Sequence, residues 1–173
     1  MEERRELKIV VTGALGHIGS KLIREIPVQF EAAELILLDS LMTQRYCSLF
    51  NLPTAGKYRF VECDVTKIDL LPLLEGADVV VHLAAITDAT GSFEKSELVE
   101  QNNYVATQQV ARACLIVDAK MIHLSSTSVY GTQQNLVDED CEEDDLNPQS
   151  PYATTKLKEE HLVRQMVKME GLK

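Results

Sequence analysis

Short apolar runs alternate with helix-like segments along this chain, and that alternation limits its fold more tightly than any other feature. The runs are Leu7-Lys8-Ile9-Val10-Val11, Glu34-Leu35-Ile36-Leu37-Leu38-Asp39, Tyr58 to Asp64, Asp78 to Leu83 and Met121 to Ser125. Apart from the third, which alternates, they read as continuous apolar stretches, the pattern of strands buried on both faces. Between them, Gly16 to Glu25 places Ile18, Leu22 and Ile23 on one face, Asp69 to Leu74 suits a short helix and Glu97 to Asp118 a long one. Ser150-Pro151 opens a last helix with Ser as N-cap and Pro in the first turn, and Gly171 is placed to end it. Alternation of this kind predicts an α/β fold, a doubly wound parallel sheet with helices on both faces. Leu41 to Tyr58 is the main irregular connection, and no Pro/Gly/Ser-rich linker divides the chain, so one domain is expected.

Composition narrows the function. The formal net charge of -10 is concentrated in one run, where Asp138, Glu139, Asp140, Glu142, Glu143, Asp144 and Asp145 lie within eight positions. That run is expected to be a solvated loop. An acidic balance argues against nucleic acid as a partner, because phosphate neutralisation needs clustered Lys and Arg. No apolar run approaches the length of a membrane span, and MEERRELKIVV has no apolar signal core, so neither membrane nor secretion is expected and a cytoplasmic location is. Cys47, Cys63, Cys114 and Cys141 show no metal spacing and are expected to be free, buried thiols, with Cys141 kept protonated by the acids around it.

Four motifs carry chemistry. Gly13, Gly16 and Gly19 stand between a strand and a helix, where backbone can approach a pyrophosphate closely and the helix N-terminus offers free N–H groups. The spacing GxxGxxG is one residue longer than the generic fingerprint. Asp39 ends the second strand 20 residues after Gly19, placed to accept ribose hydroxyls and repel a 2′-phosphate, which favours NAD over NADP, although Arg45 is near enough in sequence to attract that phosphate. Tyr152 and Lys156 share one helix face, and an ammonium beside a phenol favours the phenolate, so the Tyr can act as a base. Ser125, Ser126, Thr127 and Ser128 follow the fifth strand, where open parallel sheets bind ligands. His82 and His123 lie in strand runs and read as packed, Phe93 and Tyr104 as core, and His161 as a solvated helix residue.

In this order the motifs resemble those of the extended short-chain dehydrogenase/reductase superfamily, in particular its NAD-dependent nucleotide-sugar epimerases and dehydratases. The resemblance runs over essentially the whole chain, on TGALGHIGS at 12–20, Asp39, CDV at 63–65, HLAA at 82–85, NYVAT at 103–107, SSTSVYG at 125–131 and SPYATTK at 150–156. It implies a Rossmann-type domain whose glycine loop (Gly13, Gly16, Gly19, with His17 and Ile18) binds the pyrophosphate of NAD. Asp39 would hold the adenosine ribose, Asp64 and Val65 would meet the adenine, and Leu83, Ala84 and Ala85 would line the coenzyme. Asn103 would steady the segment after the fourth strand, with Ala106 where the family usually has Gly. Ser126, Tyr152 and Lys156 would be catalytic, Tyr152 as base, while Lys156 lowers its pKa and holds the nicotinamide ribose.

The sugar 4,6-dehydratases of this superfamily carry Asp-Glu directly after the catalytic Thr. Thr127 and Ser128 stand there instead, and hydroxyls are poor acid/base groups for eliminating water. The expectation is therefore an oxidoreductase of nucleotide-sugar 4-epimerase type. Other dehydratase, reductase or hydroxysteroid chemistry, a coenzyme-binding fragment without independent turnover, and a structural subunit are the alternatives. A small-molecule substrate, a nucleotide-sugar, and a homodimer formed through the helices after the fourth and fifth strands are the partners it implies. A full dinucleotide-binding sheet has six strands, and five are visible here. Residues 1–173 are thus expected to be an NAD-binding domain whose sixth strand and substrate domain are absent, with an uncovered sheet edge and correspondingly low stability.

Overall fold

The computed structural model describes residues 6–87, 96–133 and 137–173; Phe93 lies outside them. Five parallel strands, β1 (Lys8–Thr12), β2 (Glu34–Asp39), β3 (Lys57–Glu62), β4 (Val79–His82) and β5 (Lys120–His123), form one sheet in the order β3-β2-β1-β4-β5. Helix α1 (His17–Gln29) covers one face. Helices α2 (Leu71–Leu74), α3 (Ser96–Val117) and α4 (Pro151–Glu170) cover the other. The continuous apolar runs explain both layers. Val10, Ile36 and Val80 pack under α3 and α4, while their neighbours Ile9, Val11, Leu35, Leu37 and Val81 pack under α1.

Element boundaries follow local chemistry. Helix α1 runs on to Gln29 although Pro27 lies inside it. Proline has no N–H for the carbonyl one turn back, and the Tyr58 hydroxyl donates to that carbonyl, Ile23 O, at 3.3 Å. Strand β3 stops at Glu62 because Asp64 Oδ1 accepts from both the N–H and the hydroxyl of Thr66, at 3.0 and 2.7 Å, and turns the chain. Ser150 caps α4 by accepting the Ala153 N–H at 3.1 Å, and Gly171 ends it in the left-handed region, as the sequence implies.

The register aligns three side chains that the sequence keeps far apart. Thr12 pairs with His82, and His82 with His123. All three therefore sit at the C-terminal ends of β1, β4 and β5, on the face that α3 and α4 cover. At the outer edge of β5, the Met121 N–H donates to Lys173 O at 2.8 Å, and Ile122 on the opposite face is 50% exposed.

The cysteine expectation needs correcting. All four are free, but only Cys114 is fully buried; Cys47 is exposed, and Cys63 and Cys141 are intermediate. Desolvation and the Asp145 and Asp138 charges do raise the Cys141 thiol pKa. Tyr104 is only half-buried. No helix among the described residues is long and apolar enough to cross a membrane.

Candidate active site

A cleft of about 560 Å³ opens where the strands end and the glycine loop begins. Gly13, Gly16, His17, Ile18 and Gly19 form one wall. Gly13 has φ +65°, and a Cβ there would lie 2.7 Å from the backbone of Leu83 and Ala84; a Cβ on Gly19 would lie 2.5 Å from Gly13 O. Two glycines are thus required for the loop to fold against β4 and for α1 to start where it does. Gly16 supplies no side-chain cap, so the first amides of α1 are left as donors at the cleft, suited to an anion.

Asp39 lies across the loop. Its Oδ2 accepts the Leu15 N–H at 3.0 Å and its Oδ1 the Leu41 N–H at 2.9 Å. A carboxylate has about four lone-pair sites, so two remain for hydroxyl donors in the cleft. Arg45 lines the same end. Asp64 and Val65 are beside them. Burial alone would raise the Asp64 carboxyl, but Lys67 and the two Thr66 donors outweigh it and hold it below its ordinary value. Leu83, Ala84 and Ala85 form the floor. Asn103 is fully buried and acts from behind: it accepts the Ile86 N–H at 2.8 Å and donates to Ile86 O at 3.0 Å, clamping the segment after β4.

Tyr152 and Lys156 line the far end with Ser125. Ser126 is not itself in the wall; it caps a 3-10 turn at Thr127–Tyr130, bonds Ser128 Oγ at 2.8 Å and hydrogen-bonds the Tyr152 phenol. The expected charge pattern at Tyr152 is not what the structure holds. Burial raises the phenol above its ordinary value and the Glu159 charge adds to this, while the Ser126 hydrogen bond opposes it. Lys156 Nζ donates to Leu124 O at 3.1 Å and to Glu159 Oε2 at 2.9 Å. That leaves one of its three donors for a ligand, but its charge faces a carboxylate.

The sequence reading missed that carboxylate and the polar chain leading to it. Thr12 Oγ1 accepts the Leu83 and Ala84 N–H groups, both at 3.2 Å, and so donates to His82 Nδ1 at 2.7 Å. His82 Nε2 then carries the proton and donates to Thr107 Oγ1 at 3.2 Å, and Thr107 donates to Glu159 Oε2 at 2.9 Å. His82 is neutral here, since burial pushes its pKa well below the ordinary value and the His123 and Lys156 charges push the same way. The signal available in the sequence was Glu159 one turn after Lys156, an acid on the inward face of a helix.

The sequence model of the NAD dependent epimerase/dehydratase family matches residues 9–173. The chain belongs to that family. Among curated members it is 32% identical over 178 residues to a dTDP-D-glucose 4,6-dehydratase of Dictyostelium discoideum, an alignment covering 93% of this chain and 40% of that protein. Among solved members, a UDP-N-acetylglucosamine 4-epimerase from Methanobrevibacter ruminantium M1, in complex with UDP-N-acetylmuramic acid, superposes with a TM-score of 0.87 at 30% identity, over 96% of this chain and 52% of that one. A UDP-glucuronic acid 4-epimerase from Bacillus cereus, in complex with UDP-glucuronic acid and NAD, gives 0.85 at 34% identity, over 96% and 54%. The chain thus spans about half the length of these family members or less. The five-stranded parallel sheet with its flanking helices is the fold they share with it.

Proposed function

We propose that the cleft binds NAD and that this chain carries the coenzyme half of a nucleotide-sugar oxidoreductase of 4-epimerase type. One observation carries the reading: the glycine loop, Asp39 and the Tyr152–Lys156 pair, distant in sequence, line a single cleft. The donors and acceptors suit the coenzyme's parts. The first-turn amides of α1 meet a diphosphate, the free lone pairs of Asp39 meet ribose hydroxyls, and the spare Lys156 donor meets the second ribose. NAD supplies, when bound, a reversible acceptor for hydride from a sugar carbon. Tyr152 is the group that would exchange the proton of the hydroxyl on that carbon, with Ser126 hydrogen-bonded to it and placed to hold the same oxygen.

The absence of carboxylates after Ser126 supports epimerase over dehydratase chemistry. Thr127 is exposed, and Ser128 Oγ is bound to Ser126 Oγ, so neither supplies a proton-transfer group for losing water. The test of the coenzyme site is a fluorescence titration with NADH and NADPH. Saturable binding, tighter for NADH and lost in Gly13→Val, is expected. No saturable binding up to millimolar NADH removes the reading.

A further inference from the structure

Glu159 lies outside the lining of the coenzyme cleft. It is fully buried on α4, and its Oε2 gathers the ends of two hydrogen-bond paths. From α3, Thr107 donates to it, relaying His82 of β4 and Thr12 of β1. From α4 itself comes Lys156. From β5, His123 Nε2 lies 3.3 Å away, not aligned as a hydrogen bond, and the imidazole is neutral. Along the relay from Thr12 each hydrogen bond points its proton toward this one oxygen, and among the described residues Oε1 has no hydrogen-bond partner. An acceptor reached only by donors, one of them an ammonium, is held as a carboxylate. Burial acts the other way and raises its pKa, with Lys156 and Thr107 opposing.

We propose that Glu159 is a positioning residue that sets the charge Tyr152 meets: its carboxylate holds the Lys156 ammonium toward the Leu124 carbonyl and neutralises it, so the phenol keeps its proton in the resting protein. The proposal rests on reading Tyr152 as the proton-transfer group. A lone ammonium one helical turn away would favour the phenolate; an ammonium paired with a buried carboxylate presents little net charge. The raised phenol of Tyr152, to which the Glu159 charge contributes, agrees with that geometry.

The experiment follows the ionisation of Tyr152 directly, by carbon NMR of chain labelled at the phenol carbon of tyrosine, with Tyr152→Phe identifying the signal. Tyr152 in the unaltered chain is expected to titrate above the ordinary phenol value. Glu159→Gln keeps an oxygen to accept from Lys156 and removes the charge. It is expected to lower the midpoint by about one pH unit, a tenfold gain in phenolate at fixed pH. Glu100→Gln, which breaks the exposed pair with Lys158, is expected to leave it in place. A Tyr152 midpoint below the ordinary phenol value in the unaltered chain overturns the proposal. So does a midpoint that does not move in a folded Glu159→Gln. If that variant fails to fold, the titration of the unaltered chain still decides. No coenzyme is present, so failure here is distinct from failure to bind NADH.

Discussion

Asp39 Oδ2 accepts the backbone N–H of Leu15 at 3.0 Å, across the glycine loop from the end of β2. Its other oxygen holds Leu41 at 2.9 Å. The carboxylate that would hold a ribose thus already fastens the loop that would hold the diphosphate. Asp39→Ala leaves two backbone donors without their acceptor, and is expected to lower stability by about 1–3 kcal/mol with no coenzyme present. Asp39→Asn, which keeps one acceptor oxygen, is expected to lose less. Urea unfolding of both variants without NADH checks this. Unchanged midpoints would confine Asp39 to ligand contact.

Thr12 performs the equivalent task for β4. Its hydroxyl accepts the Leu83 and Ala84 N–H groups and donates to His82. Thr12→Val keeps shape and removes three hydrogen bonds in a fully buried place, with an expected loss of about 1–3 kcal/mol. Thr12→Ser keeps the hydroxyl and is expected to lose clearly less. Equal unfolding midpoints for the Val and Ser variants would show that the hydroxyl contributes nothing.

Helix α4 starts on a side-chain cap two residues before Tyr152. Ser150→Ala removes the Oγ that accepts the Ala153 N–H, at an expected cost of about 1 kcal/mol. Thermal unfolding measures it. Ser150→Asp, which restores an acceptor, is expected to recover the loss.

What the sequence made legible was backbone geometry. Apolar runs, the Ser150-Pro151 start and the Gly171 stop located the sheet and α4 because each depends on neighbours a few residues away. Of the residues lining the cleft, Gly13, Gly16, Gly19, Asp39, Tyr152 and Lys156 are legible as an ordered set of motifs, whereas Met42, Thr43 and Asn102 are not. What stayed hidden depends on register. Thr12, His82 and His123 meet only because β1, β4 and β5 pair in that alignment, and Glu159 joins them only because α4 crosses there. The i,i+3 spacing of Lys156 and Glu159 is readable along α4; their burial, which keeps water from screening the pair, comes only with the packing of α4 on the sheet.

Acid acts on a pair of histidines with buried side chains. His82 and His123 stack with ring centroids 5.8 Å apart. Burial pushes His123 down to about 4, with the Lys156 charge adding to it, and pushes His82 down as well. In the unfolded chain both take up protons near the ordinary value of about 6.5. Between about pH 6.5 and 4 the unfolded state therefore binds more protons, and stability falls as pH falls through that window. Glu159 works in the opposite direction: its raised carboxyl takes its proton more readily when folded, and offsets part of the loss near the glutamate range. His123 is the side chain to alter, because among the described residues neither of its ring nitrogens has a hydrogen-bond partner, so an apolar replacement leaves no donor stranded. His123→Leu is expected to match the unaltered chain at about pH 7 and to exceed it at about pH 5 by on the order of 2 kcal/mol. Urea midpoints of the two chains at both pH values check this, and parallel losses on acidification would show that His123 does not govern the acid limb.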